Sequence, residues 1–218
     1  ERNSFAGNLP PALEAAKFER LRDTIETAFG TAPLIYRAGR YGLGPHTAAM
    51  LTRAGIRLDT SVRPLFDYSH QTGPDYSRHP LAPYWIDDAS RLLELPVTSA
   101  YAGTLARFGP ALHRAQRSMP TFFSGFARFK LLERIALTPE GVSAPEALRG
   151  LDIALASGLP VTVLSFHSPS LAPGHTPYVK TEAGVEALYG WFETIYGELG
   201  RRGVNSCTVA EIVAAAGG

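Results

Sequence analysis

The sequence has a single cysteine, Cys207, no excess of charge of either sign and no long hydrophobic run. One cysteine excludes an internal disulfide and a cysteine-rich metal site within the chain. The 21 Lys and Arg are balanced by 20 Asp and Glu and are scattered, so we expect no nucleic-acid partner and no anionic-lipid surface. No apolar stretch approaches the roughly 20 residues that a membrane-spanning helix needs, and we therefore expect no transmembrane segment.

The composition that remains is typical of an ordinary globular protein. Hydrophobic residues make up 45% of the 218 residues and charged residues 19%. This length suffices for one sizeable core, and single α/β barrels often exceed 200 residues. We therefore predict one domain over residues 1–218.

Helical and strand patterns alternate along the chain. Apolar residues spaced by three or four, with proline at the entry and glycine at the exit, predict a helix over residues 10–30. Further helices are predicted over residues 45–54, 143–158 and 182–199 and from residue 208 onward, the second of these starting at the capping box Ser143-Ala144-Pro145-Glu146. Short apolar runs predict buried strands near Ile35, Leu58, Leu93, Val163 and Val204, and the pattern is clearest over residues 160–166.

Two longer regions lie between these segments. Residues 63–83 are rich in Pro, Tyr, Asp, His and Gly without either period, which predicts a long loop of functional importance. Residues 104–137 are predicted to be helical, with an interruption near Pro120. Repeated strand–helix order indicates a parallel α/β sheet or barrel, but about five strands are fewer than the eight of a complete barrel. We expect either a reduced, incomplete β/α barrel or first units that lie upstream of Glu1.

His167 directly follows the clearest predicted strand. Active sites of parallel α/β proteins lie at the carboxyl ends of strands, where an imidazole can donate or accept a proton near neutral pH. A histidine that only bonds a loop carbonyl is the alternative, and position alone does not separate the two interpretations.

The turn after the first strand contains Arg37 and Arg40, which could hold a carboxylate or an oxyanion. A pair of surface arginines is the alternative. Glycines 39, 42 and 44 suggest a phosphate loop, but their order is the reverse of the dinucleotide fingerprint. Asp59, at the end of the second strand, is placed to orient His167 or bind substrate, with a turn or capping role as the alternative.

The familiar catalytic signatures are missing. The six histidines form no His-x-x-His or His-Glu-x-x-His pair, so no metal ligands are assigned within the chain. A Gly-x-Ser-x-Gly elbow is also missing, which disfavours a serine hydrolase.

Several short motifs together resemble the polysaccharide deacetylases, the NodB-homology enzymes of carbohydrate esterase family four. They are Tyr36-Arg37-Ala38-Gly39-Arg40-Tyr41-Gly42, Asp59-Thr60-Ser61, Leu93-Glu94-Leu95-Pro96 and Ser165-Phe166-His167-Ser168-Pro169-Ser170 followed by Thr176-Pro177-Tyr178. The resemblance extends from about residue 3 to residue 211. It implies a distorted β/α barrel that removes acetyl groups from N-acetylated sugars.

The resemblance also implies roles for individual residues. In such enzymes an Asp and two His hold a divalent metal, commonly zinc, whose bound water attacks the amide. His167 would be the general acid, Arg37 would orient the catalytic carboxylate, and the backbone N–H near Tyr41 would hold the oxyanion. Tyr41, Arg40, Asp59 and Trp85 are the expected substrate-binding residues.

Two departures from the family pattern are visible. The Asp-rich and His-containing metal motifs should precede residue 3, so we expect the zinc ligands to lie outside this chain and the chain alone to bind zinc weakly. The turn at residues 38–41 is one residue longer than the Arg-x-Pro-Tyr type, which leaves the oxyanion donor open.

The sequence thus predicts a deacetylase-like hydrolase acting on a carbohydrate or a small acylated amide. Two alternatives remain at this point. One is a cyclic-amide hydrolase of the same superfamily, and the other is a non-catalytic carbohydrate-binding barrel that uses the loop aromatics Tyr68, Tyr76, Tyr84 and Trp85. We further expect Arg37, Asp59 and His167 to converge on one rim of the sheet.

Overall fold

The computed structural model describes residues 2–87, 89, 91–109, 111–112 and 131–217. The chain divides into two compact units, the first made of residues 1–96 and 207–218 and the second of residues 97–206. The single domain over residues 1–218 stays a prediction.

The first unit combines three helices with a four-stranded sheet. The helices are α1 (Pro11–Phe29), α2 (Thr47–Arg53) and, at the end of the chain, α5 (Val209–Gly217). The strands are β1 (Ile35–Tyr36), β2 (Leu58–Asp59), β3 (Tyr84–Trp85) and β4 (Leu93–Glu94), arranged in the order β1-β2-β4-β3. β1, β2 and β4 are parallel, and β3 runs antiparallel to β4. Parallel strands whose carboxyl ends share one edge are the arrangement that the sequence predicts for a functional site.

The core of this unit packs the first two helices against the sheet. Its buried side chains are Phe18, Met50, Leu51, Ile56 and Leu92. Burying a side chain of this size stabilises the fold by roughly 1.5–3 kcal/mol. α1 begins at proline and ends at Gly30 in the left-handed conformation (φ 70°), as its sequence predicts. The predicted apolar side of α1 is only partly used, since Leu13, Leu21 and Phe29 are exposed.

The segment before α1 lies directly on the glycine-rich loop after β1. Gly7 N–H donates to Gly42 O at 2.8 Å. A Cβ atom on Gly7 would lie 2.1 Å from Gly44 N, so this close approach of two backbones requires glycine. The loop that carries the predicted substrate-binding arginines is therefore held in place from the amino-terminal side.

Over its described residues, the second unit contains a two-stranded antiparallel sheet and two α-helices. The strands are β5 (Ser99–Ala102) and β6 (Glu133–Ala136), and the helices are α3 (Ala144–Ala156) and α4 (Glu182–Arg201). Ser143 and Glu146 form the predicted capping box at the start of α3. The buried core side chains are Leu137, Ala147, Leu151, Trp191, Ile195 and Leu199.

Three predictions about this unit are wrong. Residues 160–166 form no regular strand, because the hydrogen bonds of a ladder are only partly made: Val163 N–H donates to the Thr98 hydroxyl (2.8 Å) rather than to a backbone carbonyl. Residues 133–136 are strand rather than helix, because pairing with β5 overrides their helical propensity. Val204 forms no strand, because its N–H closes the end of α4 on Leu199 O (3.0 Å).

The remaining predictions divide into confirmed and untested ones. The helices over 10–30, 45–54, 143–158 and 182–199 and from 208 onward are confirmed within a few residues at their ends, as are the strands near Ile35, Leu58 and Leu93. The predicted interruption near Pro120 lies outside the described residues. No closed barrel is formed by the strands that the structure describes, and the β/α barrel stays a prediction. Within the same ranges, no helix has the length and apolar character needed to cross a membrane.

Candidate functional site

Two acidic side chains of the first unit lie at the carboxyl ends of neighbouring parallel strands. Asp59 ends β2, Glu94 ends β4, and the two residues are register partners. Their exposed fractions are 1% and 0%. Adjacent buried carboxyl groups cannot both be charged without a large electrostatic cost.

The hydrogen bonds show how this Asp59–Glu94 pair is satisfied. Asp59 Oδ1 accepts from the Ser61 hydroxyl (2.5 Å) and the Ser61 N–H (3.1 Å), and Glu94 Oε1 accepts from the Val62 N–H at 2.9 Å. Glu94 Oε2 is buried without a donor. A proton on Glu94 lets this carboxyl group donate to Asp59, which completes the pair.

The pKa values of the two acids agree with a proton that is carried by Glu94. Burial, and then the charge of Asp59, raise the pKa of Glu94 to about 9, with Arg37 acting in the opposite direction. Burial also raises the pKa of Asp59, to about 6, and the hydrogen bonds from Ser61 oppose that rise. At neutral pH the pair therefore holds one proton, mainly on Glu94.

Three tyrosines surround the acidic pair. Burial and the charge of Asp59 raise the pKa of Tyr36 to about 12, and burial with both acids raises the pKa values of Tyr76 and Tyr84. These phenols stay protonated at neutral pH. The Tyr76 hydroxyl donates to Tyr41 O, and the Tyr84 hydroxyl lies 3.0 Å from His79 Nδ1.

The arginines of the predicted binding turn have different surroundings. Arg40 donates to the Ser4 hydroxyl and to Gln71 Oε1, both at 2.6 Å, and lies over the Phe5 ring. Arg37 is exposed and lies 5.6 Å from the centre of the Tyr41 ring. Arg37 and Asp59 thus belong to one unit, where Arg37 acts electrostatically on Glu94. Substrate binding by Arg40, Tyr41 and Asp59 stays a prediction.

The loop aromatics are mostly used in packing. Tyr76 is 2% exposed, and Trp85 is half-buried with its indole N–H donating to Ala216 O at 3.2 Å. Rings engaged in this way present little surface to a sugar, which disfavours these side chains as an open carbohydrate platform. Substrate binding by Trp85 stays a prediction.

The second unit contains a carboxylate–histidine pair. Glu140 Oε2 lies 2.6 Å from His167 Nδ1, and Glu140 Oε1 accepts from the His167 N–H at 3.0 Å. The Glu140 side chain is 5% exposed and that of His167 is 63% exposed. The acid is thus fixed inside, and the imidazole presents its other nitrogen, Nε2, to the outside. The partner of His167 is a carboxylate rather than a loop carbonyl.

Neighbouring side chains hold the Glu140–His167 pair in position. The Ser170 hydroxyl donates to Glu140 Oε1 (2.6 Å) and lies 3.0 Å from the Thr176 hydroxyl. The Tyr178 ring stacks on the His167 imidazole with centroids 6.3 Å apart and an interplanar angle of 12°. Backbone, carboxylate and ring contacts together restrict the orientation of the imidazole, as a proton-transferring group requires.

Glu140 is a functional candidate that the sequence analysis missed. It lies four residues beyond β6, in the turn Thr138-Pro139-Glu140-Gly141. Because residues 133–137 had been assigned to a helix, the position of Glu140 after a strand was hidden. The Pro and Gly beside it were the available signal, since Gly141 has φ 82°.

The metal that the resemblance implies does not fit the described residues. Zinc in proteins takes three or four ligands from His, Cys, Asp and Glu. Over the described ranges no three such side chains come together. The Asp59–Glu94 pair offers two carboxyl groups, one of them protonated, and no imidazole. His113 lies outside the described residues.

The predicted site residues fall into both units. Arg37, Arg40, Tyr41, Asp59 and Trp85 belong to the first unit and His167 to the second, so convergence of Arg37, Asp59 and His167 stays a prediction. Comparison of the chain with family models, with curated proteins and with solved structures finds no match. The side chains themselves therefore carry what can be inferred about function.

Proposed function

We propose that this chain is part of a polysaccharide-deacetylase-like hydrolase that removes acetyl groups from N-acetylated sugars, with His167 as the general acid. The observation that supports this most is the buried Glu140 carboxylate bonded to Nδ1 of an exposed imidazole. The motifs around Arg37, Asp59 and His167 support the choice of substrate class through their resemblance to that family.

The geometry suits a proton donated late in the reaction. With Nδ1–H directed at Glu140, Nε2 is the nitrogen that exchanges protons with a substrate. As the carbon–nitrogen bond of the tetrahedral intermediate breaks, Nε2–H protonates the departing amine, and acetate and the free amine are released. The hydrogen bond between Nδ1 and Glu140 holds the imidazole in this orientation during the transfer. Acid catalysis of this kind contributes about 10²–10⁴-fold to the rate.

No step is assigned to a metal, because the described residues do not form a site for one. The family's reaction uses a divalent metal to activate the attacking water. The residues of this chain contribute the proton at Nε2, its orientation by Glu140, and the fixed position of the ring against Tyr178.

The test is acetate release from N-acetylated chito-oligosaccharides by the protein that the complete gene encodes. We expect His167→Ala to lower kcat by at least about 10²-fold with KM and melting temperature nearly unchanged, because the acid acts in the transition state only. His175→Ala is the matched control, since His175 is an exposed histidine of the same unit. Equal kcat values for His167→Ala and the unmodified protein would contradict the proposal, and so would the absence of acetate release by the folded protein.

A further inference from the structure

The aromatic cluster beside the acidic pair contains two arginines that form no ion pair among the described residues. Arg63 lies 3.9 Å from the centre of the Phe66 ring and 5.4 Å from that of Tyr41, and Arg37 lies 5.6 Å from the same Tyr41 ring. Tyr68 stacks on both Tyr41 and Phe66, with centroids 5.8 and 6.5 Å apart. Two guanidinium groups therefore share one aromatic ring.

The hydrogen bonding of these two arginines is incomplete. Arg63 donates one bond, from Nη1 to the Tyr68 hydroxyl at 3.2 Å, and its Nε is covered without an acceptor. Among the described residues neither Arg37 nor Arg63 has a carboxylate within ion-pair distance. Stacking occupies the faces of a guanidinium group, whereas its N–H donors lie in the plane and point to the edges.

Arg40 provides an internal comparison from the same loop. Its guanidinium group has two oxygen acceptors, Ser4 and Gln71, in addition to its aromatic contact with Phe5. Two donors of the Arg40 guanidinium group are therefore used within this unit. Among the described residues the exposed Arg37 has no such acceptor, and Arg63 uses only Nη1, so Arg37 and the Nη2 group of Arg63 can still donate to a planar anion.

Two consecutive residues at the shared ring have a strained backbone conformation. Arg40 and Tyr41 are consecutive residues with positive φ, 55° and 58°. Residues other than glycine rarely adopt this backbone conformation. Strained residues of this kind are often found where a fold positions groups for a ligand. The Tyr76 hydroxyl holds the strained peptide by donating to Tyr41 O. The Tyr41 ring is thereby fixed between the loop after β1 and the segment that carries Arg63.

We infer that Arg37, Tyr41 and Arg63 form a binding site for a carboxylate group on a sugar, so that the substrate is an acidic, uronate-containing oligosaccharide. That the bound sugar is a substrate rests on the proposed function, whereas the anion site itself does not. A carboxylate pairs with the planar donors of one or both guanidinium groups, which lie against the Tyr41 ring. Neutral sugars would lack this contact.

The test compares binding of two N-acetylated tetrasaccharides of equal length, one alternating with glucuronate and one neutral, by titration calorimetry. We expect the acidic one to bind at least about tenfold more tightly, with an affinity that falls as salt is added. Arg63→Met preserves the apolar contact with Phe66 and should abolish the preference. Arg37→Met should do the same and, because Arg37 is exposed, should fold normally. Arg53→Met, an exposed arginine on α2, is the control and should keep the preference.

The outcomes separate this inference from its alternatives. Equal affinity for the two tetrasaccharides, or equal loss in Arg53→Met, would overturn the inference. Free sulfate that displaces the acidic tetrasaccharide at micromolar concentration would show a general anion site and would overturn the assignment to a sugar carboxylate. Because binding is measured without turnover, an acidic preference that persists while His167→Ala remains fully active would refute the proposed function alone. Loss of activity in His167→Ala without an acidic preference would refute this inference alone.

Discussion

Each unit of the molecule buries one carboxylate against a titratable partner, but the partners differ. Asp59 faces a second buried acid, Glu94, and both side chains are sealed from solvent. Glu140 faces an imidazole whose side chain is 63% exposed. Two acids shielded from solvent in this way retain one proton between them at neutral pH. An acid behind an exposed imidazole instead holds one nitrogen and leaves the other free to exchange protons. The first pair is therefore expected to govern stability and the second to govern rate.

The largest expected effect comes from truncating the inner acid of the first unit. Glu94→Ala leaves Asp59 without its donor and the Val62 N–H without its acceptor, so we expect the free energy of unfolding to fall by about 3–5 kcal/mol. Urea denaturation measures this loss. Glu19→Ala, at an exposed position of α1 in the same unit, should change stability by less than about 0.5 kcal/mol. A Glu94→Ala variant as stable as Glu19→Ala would refute the shared-proton pair.

The corresponding change in the second unit should act on turnover. Glu140→Gln keeps an oxygen acceptor for the His167 backbone N–H and the Ser170 hydroxyl, but it removes the carboxylate beside the imidazole. We expect kcat to fall about 10²-fold while stability changes by less than about 1 kcal/mol. Glu193→Gln on the exposed side of α4 is the control for charge. The contrast between the two units would fail if Glu140→Gln lowered stability as much as Glu94→Ala does.

The pH dependence of stability sharpens the contrast. Asp59 and Glu94 have ordinary pKa values of 3.8 and 4.5, and folding raises both. The folded state therefore binds more protons than the unfolded state. The stability that this proton binding contributes is complete below about pH 4 and is lost as the pH rises toward the folded pKa of Glu94, about 9. Glu94→Gln imitates the protonated acid. Between pH 5 and pH 9, the free energy of unfolding of this variant should rise by on the order of 2 kcal/mol relative to that of the unmodified protein.

Urea midpoints of both proteins at several pH values measure that difference. Glu140→Gln is the matched comparison from the other unit. A stability difference between Glu94→Gln and the unmodified protein that stays constant with pH would mean that Glu94 is ionised throughout.

The smallest effects concern the serines that donate to each buried acid. Ser61 donates to Asp59 and also accepts from the Ala38 N–H at 2.8 Å, whereas Ser170 donates to Glu140. Ser61→Ala should cost about 1–2 kcal/mol of stability, because a backbone donor also loses its acceptor. Ser170→Ala should cost less than about 1 kcal/mol and lower kcat by about two- to fivefold. Urea denaturation and rate measurements on both variants test this comparison. A larger loss of stability in Ser170→Ala than in Ser61→Ala, together with a larger loss of kcat in Ser61→Ala, would contradict it.

Local signals predicted the helices and part of the sheet well. Proline at the start of α1, Gly30 at its end and the Ser143–Glu146 capping box act within a few residues, and the structure confirms the helices that they mark. The strand ending at Asp59 was also predicted, and the structure confirms it. The errors arose where hydrogen bonds join distant segments. Residues 160–166 have a strand-like composition, yet the Thr98 side chain takes the place of a backbone partner.

The candidate sites show the same limit. Position after an apolar run singled out His167 and Asp59, because side chains at strand ends meet solvent or a cleft. Their partners were not predictable: Glu94 lies 35 positions beyond Asp59, and Glu140 lies 27 positions before His167. Neither distance corresponds to a motif. Only folding shows that Asp59 faces another acid, while the His167 imidazole is hydrogen-bonded to a carboxylate.

By itself, the sequence determined where the helices begin and end and that buried apolar runs alternate with them. It also determined that titratable residues follow those runs. All of these features depend on interactions between near neighbours in the chain. Only the tertiary structure decided which carboxylate stands beside which partner, and therefore which proton is trapped and which can be exchanged. Burial raises the pKa of Glu94 because β2 and β4 place two acids side by side, a property that neither strand has alone.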